Sequence, residues 1–281
     1  MKLPIDLPDL GLKDIKPEDL YPIGEGLSIR EIEEPFARGE EAEGEETMVY
    51  AKDAVCPLCG KPVQNPVAKI AKLRPLGTEK DLRTKYRYFE PLKYEVFCCN
   101  RCGYAALQTF YKPLPKPHKQ MLEKGIMEPF EPMVLQTGVL TFDEAILRYK
   151  RALVCALARN GKNGEIASIC LKMAWLLRSY AEFEKMEVEA LDTIKAEEAK
   201  YLAAAREGLV TARQKEGNVP GMPDITVDYV IGVLSMKLGK YQDAQRLFMG
   251  VIGNGMAAAS QKDKARDRIA EVKEMMKAEG L

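Results

Sequence analysis

The chain has 281 residues, 46% of them hydrophobic and 30% charged, with a mean hydropathy of -0.26. That is enough apolar surface for one large or two ordinary domains and excludes a globally disordered chain; with no apolar run near the roughly 20 residues a bilayer needs, it also excludes a membrane-spanning segment. The formal charge is zero, but 42 basic and 42 acidic groups are segregated: residues 1–59 carry 6 basic and 15 acidic side chains, residues 60–124 carry 14 and 5, and residues 125–281 carry 22 of each.

The opening stretch MKLPIDLPDLGL holds acids and prolines where a signal peptide has a basic flank and an apolar run, which predicts a cytoplasmic protein. Between Glu31 and Glu46 stand eight carboxylates and one arginine. Such a run buries no core, so residues 1–47 are expected to form an acidic extended or disordered arm, solvated but within reach of the basic piece that follows.

From Met48 the texture changes to short apolar or alternating stretches, Met48–Val55, Val67–Leu73, Leu92–Phe97 and Tyr104–Phe110, broken by Pro, Gly and Asn as strands joined by turns are. Residues 48–124 therefore read as a β module. Its aromatics, Tyr86, Tyr88, Phe89, Tyr94, Phe97, Tyr104, Phe110 and Tyr111, fit the core of a small sheet; interleaved with lysines and arginines, they would also suit phosphates and bases. LPKPHKQ and EPFEP then punctuate the chain, giving a linker over 125–140, with His118 an exposed side chain just before it.

Helices are expected from Thr141 to the end, residues 141–281. Ile166–Tyr180 is apolar nearly all round and reads as a central helix; Glu182–Gln214 reads as one extended helix; GNVPGMPD resets the chain, with Asp224 or Thr226 as the next cap; a polar helix over about 257–277 closes the stack. Thr141–Leu153 aligns with Lys240–Ile252 at an offset of 99 residues, about three tetratricopeptide periods, matching Phe142 with Tyr241, Ala145 with Ala244 and Tyr149 with Phe248. The segment YVIGVLSMKLGKYQDAQRLF resembles a complete tetratricopeptide unit: Gly232 is the small residue where two helices touch, Gly239 sits in the turn, and Ala244 and Phe248 pack between helices. Asp228 departs from that pattern.

The strongest chemical signal is a pattern that occurs twice, Cys56-Pro-Leu-Cys59-Gly60 and Cys99-Asn-Arg-Cys102-Gly103. A Cys-x-x-Cys turn sets two sulfurs on one side, and the following Gly supplies the positive φ that turns the chain away. Two such knuckles make a closed four-thiolate site suited to structural zinc, though a four-sulfur cage suits iron as well. The adjacent Cys98 is a competing partner for Cys102; the repeated offset selects Cys99 and leaves Cys98 on the opposite face. Redox use of one pair, as in thioredoxin-like enzymes, would place it at a helix start and need no second pair. Cys155 and Cys170 fall on helices as core residues. No nucleophile–base set and no phosphate-cradling glycine loop is present, so no catalytic apparatus is expected.

With VCPLCGK (Val55–Lys61), YEVFCCNRCGYAAL (Tyr94–Leu107) and the helical half behind them, the chain resembles the bacterial family called domain of unknown function 2225 over roughly Tyr50–Tyr180. The resemblance implies that Cys56, Cys59, Cys99 and Cys102 are the family's metal-type cysteines; it implies no activity.

The expected architecture is α+β, mainly α: a small β-rich, four-cysteine, zinc-ribbon-like module followed by a tetratricopeptide-like antiparallel helical array, each half folding by itself. The expected function is a non-catalytic protein-interaction scaffold that holds a protein or peptide in the array's groove. The alternative is nucleic-acid binding by the basic module through Lys69, Lys72, Arg74, Arg83, Lys85 and Arg87, with bases on Tyr86, Tyr88 and Phe89.

Overall fold

The computed structural model describes residues 44–132, 134 and 137–280. Most of the acidic arm, residues 1–43, lies outside the described residues. Its last residues, Glu45–Thr47, form a single 3-10 turn, and there Glu45 meets the basic module: its carboxylate lies 2.7 Å from Lys93 Nζ and accepts a 2.6 Å hydrogen bond from the Tyr94 hydroxyl.

Three antiparallel pairs make up the β module: β1 (Val49–Val55) with β2 (Pro62–Ala68), β3 (Pro75–Thr78) with β4 (Thr84–Tyr86), and β5 (Val96–Cys98) with β6 (Ala105–Leu107). The expected strand over Val67–Leu73 is displaced to β2, because Pro62 and Pro66 there argue against a strand. The Cys56 amide donating to Lys61 O and the Lys69 amide donating to Met48 O set the alternation, so both proline nitrogens face away from β1 and no ladder bond is lost. Leu92 and Tyr94, expected in a strand, lie instead in a 3-10 turn at Pro91–Tyr94.

The end of the span expected as β module forms a helix instead, and several described residues of the segment expected as a linker are packed behind it. Helix α1 (Lys116–Leu122) includes the half-buried His118 and continues into a π turn at Glu123–Met127; Leu122, Ile126, Phe130 and Leu140 are buried. Six longer helices follow: α2 (Phe142–Ala158), α3 (Asn163–Phe183), α4 (Val188–Lys215), α5 (Asp224–Lys237), α6 (Tyr241–Gly253) and α7 (Ala259–Ala278), each packed on the next in sequence. A capping box starts α2, where the Glu144 amide donates to Thr141 Oγ1 at 3.2 Å and the Thr141 amide to Glu144 Oε2 at 2.8 Å. The extended helix expected from Glu182 begins six residues later, because the chain leaves α3 at Glu184 in an extended conformation. Neither Asp224 nor Thr226 caps α5; Pro223 holds the N-cap position, with no side-chain capping bond.

The pair α5–α6 has the close contact expected from its sequence. A Cβ on Gly232 would stand 2.7 Å from the Phe248 ring, and Gly239 turns the chain at φ +72°. Phe142, Ala145 and Tyr149 on α2 are buried, as are Tyr241, Ala244 and Phe248 on α6.

One core joins the two halves. Cys56, Leu58, Val96, Ala105, Ala106 and Leu107 of the module belong to the same buried cluster as Phe142, Ala145, Tyr149 and Ala152 of α2, and this cluster runs on to Val272 of α7. Every residue of β5 and β6 is buried, and both strands pack on α2, with the Tyr149 hydroxyl donating to Leu92 O at 3.1 Å. The two halves expected to fold apart therefore share an interior: a pair of three-residue strands has too little apolar area of its own and takes the missing wall from α2.

Candidate metal centre

Both Cys-x-x-Cys segments sit in the connections of two-stranded hairpins. In the β1–β2 turn the Gly60 amide donates to Cys56 O at 2.9 Å; in the β5–β6 turn the Gly103 amide donates to Cys99 O at 3.0 Å and the Cys99 amide to Tyr104 O at 2.8 Å. Gly60 and Gly103 take φ +71° and +74°. Gly103 has a second reason to lack a side chain, since a Cβ would stand 2.5 Å from the Phe130 ring. Neither knuckle opens a helix, which is where a thioredoxin-like pair would lie.

The two turns face each other. All four Sγ atoms lie within 4.8 Å of one another, with Cys56–Cys102 at 3.6 Å and Cys59–Cys99 at 3.7 Å. Sulfurs bound tetrahedrally at about 2.3 Å from a zinc ion stand about 3.8 Å apart, so the spacing fits a four-thiolate metal ion. Cys56, Cys99 and Cys102 are buried and Cys59 is half-buried. At this separation the four thiols cannot all ionise by themselves. Hydrogen bonds from Cys102 and Cys99 hold Cys56 far below the usual thiol range, while the contact with Cys56 pushes Cys102 far above it. A divalent cation relieves that conflict by coordinating all four thiolates at once, offsetting two of their four charges. These residues can hold a metal ion, and four protein ligands would leave it no open position for a substrate.

The surrounding shell is aromatic and apolar. Tyr111 packs on Phe97 and Tyr104 with ring centroids 5.4 Å apart in each pair, and burial, then the neighbouring Cys56 sulfur, holds its phenol well above the ordinary range. Cys98 is buried, and burial raises its thiol. It stands apart from the cluster of four. Asn65, buried in β2, brackets its backbone: the Cys98 amide donates to Asn65 Oδ1 at 2.8 Å and Asn65 Nδ2 donates to Cys98 O at 3.2 Å. Arg148 of α2 adds a 3.1 Å bond to the same Asn65 oxygen, tying the first hairpin, the second knuckle and the helix together. Sequence reasoning missed Asn65 and Arg148; a polar residue between Val63 and Val67 and an arginine beside Tyr149 were the available signals. Cys155 is buried on α2 and its sulfur accepts from the Ala105 amide at 3.4 Å, while Cys170 is buried in α3.

The six basic residues considered for nucleic acid are divided by the fold. Arg83 is 1% exposed and Lys85 7%, both paired with Glu79 and Glu182 inside the protein. They are withdrawn from any binding face because the β3–β4 hairpin points its turn into the helices. Lys69 donates to Thr47 O, Arg74 is exposed and bonds Ala71 O and Leu73 O, Lys72 is half-buried, and Arg87 is exposed beside the Tyr88 ring. Of the aromatics assigned to bases, Phe89 is buried in a small cluster with Met48, Val49, Tyr94 and Leu140.

Among the described residues no helix is long and apolar enough to cross a membrane. Neither the curated proteins nor the solved structures compared with this chain give a match. A family profile described as an uncharacterized protein conserved in bacteria, domain of unknown function 2225, matches residues 49–276, the whole span from β1 into α7, and the chain belongs to that family.

Proposed function

We propose that the protein is a non-catalytic interaction scaffold: a structural zinc ion fixes the two knuckles, and the tetratricopeptide-like array offers a surface to a protein or peptide. What supports the reading most is the cleft of about 330 Å³ among α4, α5 and α6, where Val210, Ile231 and Leu247 lie between Arg213, Arg246, Asp228 and Asp243. An apolar strip edged by both signs of charge suits a peptide with mixed side chains. The α5–α6 pair that forms two of its walls carries the repeat-like glycine contact.

A photocrosslinking side chain placed at Gln214, on the rim of this cleft, tests the reading in cells. Discrete protein adducts that disappear when Leu247 is replaced by Asp are the expected result; their absence, with the metal content intact, would remove the scaffold assignment. Nucleic-acid binding stands as the second reading on the surface positions of Arg74 and Arg87. Nuclease-sensitive adducts from a crosslinker at Arg87, lost between about 50 and 200 mM salt, would promote it. Metal analysis of the purified chain is expected to give about one zinc ion per molecule.

A further inference from the structure

The turn of the β3–β4 hairpin, Glu79–Arg83, reaches three alternate helices at once. Asp81, with no exposed side-chain surface, accepts from Arg178 of α3 at 2.9 Å and from Lys237 of α5 at 3.2 Å. Glu79 pairs with the same Arg178, Arg83 donates to both oxygens of Glu182 of α3 at 2.6 Å, and Lys80 meets Glu271 of α7 at 3.1 Å. Where each helix packs on the next, alternate helices form one layer, and in a helical-repeat array that layer is a surface on which partners bind.

The turn is held there largely by charge matching from residue to residue, with Leu82 alone packing against the main core. Its strands are four and three residues long, pair only with each other among the described strands, and carry a register irregularity between Pro75 and Gly77, so the hairpin has little stability of its own. Leu82 sits at φ +72°, a conformation that leucine rarely adopts and that persists only while its surroundings impose it. Buried ion pairs give geometric specificity with modest net free energy, because each charge loses its water on docking. These properties belong to a contact that can be exchanged.

We propose that the layer formed by α3, α5 and α7 is a receptor for a turn of alternating charge, with two carboxylates two residues apart, and that residues 79–83 occupy it in cis until such a turn on a partner protein displaces them. This rests on the scaffold reading and adds to it the class of partner and an internal competitor.

The probe is a labelled cyclic peptide carrying residues 75–86 of this sequence, and the receptor is the full chain with 79–83 replaced by Asn-Gly. Anisotropy is expected to show binding at least 10-fold tighter to this variant than to the wild type, and at least 10-fold weaker again when Lys237→Ala is added or when the peptide carries E79Q and D81N. Equal binding to the variant and the wild type would overturn the proposal. If the shortened chain does not fold, hydrogen exchange on the wild type decides. The Glu79 and Leu82 amides, bonded to Arg83 O and Glu79 O, are expected to exchange by local opening at least 100-fold faster than those of Val230 and Leu234; exchange together with α5, only on global unfolding, would show a fixed strut and overturn it. Loss of the Gln214 adducts would remove the scaffold reading without touching either result, so the two failures are distinguishable.

Discussion

Two hairpins of one module dock on the same helical array by opposite means. The β5–β6 hairpin, which carries Cys99 and Cys102 at its turn, is buried at every strand position and meets α2 through Ala105, Ala106 and Leu107. The β3–β4 hairpin has only half-buried or exposed residues in β3, and its turn meets α3, α5 and α7 chiefly through ions. Apolar contact is non-directional and gains with each area removed from water, so it suits a permanent joint. Ion pairs demand one geometry and pay for desolvation, so they select a particular partner more than they hold it. The cysteine-bearing hairpin is thus built into the core, while the ionic one is fitted to it.

The largest way to break the comparison is at the metal. Cys59→Ser or Cys102→Ser should abolish metal retention, since a structural four-thiolate zinc site contributes on the order of 10 kcal/mol to folding, whereas Cys98→Ser should keep the ion. Because β5 and β6 share the core of α2, the loss is expected to spread beyond the module. The fluorescence of the half-buried Trp175 on α3 should shift on chelation, and the Tm of the helices should fall with it. A helical half that stays fully folded after metal removal would show that the shared interior is not needed on that side.

Removing one partner of the ionic joint comes next. Asp81→Asn leaves Arg178 and Lys237 short of a buried counter-charge and should destabilise by about 3 to 5 kcal/mol in urea denaturation. Burial works to raise the Asp81 carboxyl, but Arg178 and then Lys237 overcome it and leave it well below the usual range. Its contribution is therefore present above the unfolded value near 3.9 and is lost as pH falls through the lower folded value, so the difference between wild type and variant should hold constant from about pH 5 to 8. A gap that closes in that interval would assign the effect to another group.

Within the array, Gly232→Ala drives a methyl to 2.7 Å from the Phe248 ring and should cost about 1 to 3 kcal/mol by thermal denaturation. Adding Phe248→Leu should recover part of that loss; additive losses would mean that the helices separate instead of repacking. The smallest effect is at Glu90, where burial raises the carboxyl despite hydrogen bonds from Ser179 and the Leu92 amide. A raised carboxylate costs stability above its folded value, and that cost disappears below the unfolded value near 4.3. Glu90→Gln keeps the shape, accepts from the Leu92 amide on its one oxygen and turns the Ser179 bond round, its Nε2 donating to the hydroxyl oxygen, so it should raise the Tm slightly at pH 7 to 8, by a difference worth up to about 1 kcal/mol, and lose the advantage near pH 4.

What the sequence by itself determined is what rests on local chemistry. The doubled Cys-x-x-Cys-Gly turn needs only its own backbone to place two sulfurs, and the 3.6-residue periodicity of α2 and α6 needs only one apolar stripe, so the cluster of four cysteines, the mainly helical class and the Gly232–Phe248 contact were all legible. β2 was hidden because Pro62 and Pro66 are harmless only on the side of the hairpin that bears no ladder bonds, a fact set by its pairing with β1. The same kind of reason hid the fate of the basic segment. Nothing local distinguishes Arg83 and Lys85, which the fold buries, from Arg74 and Arg87, which it leaves in water. The acids that receive them are Glu79 in the same hairpin and Glu182, nearly a hundred residues further on. Charge pairing across that separation, and a core that runs from the knuckles into the helices, exist only once the chain is folded, because both depend on surfaces that distant segments supply to each other.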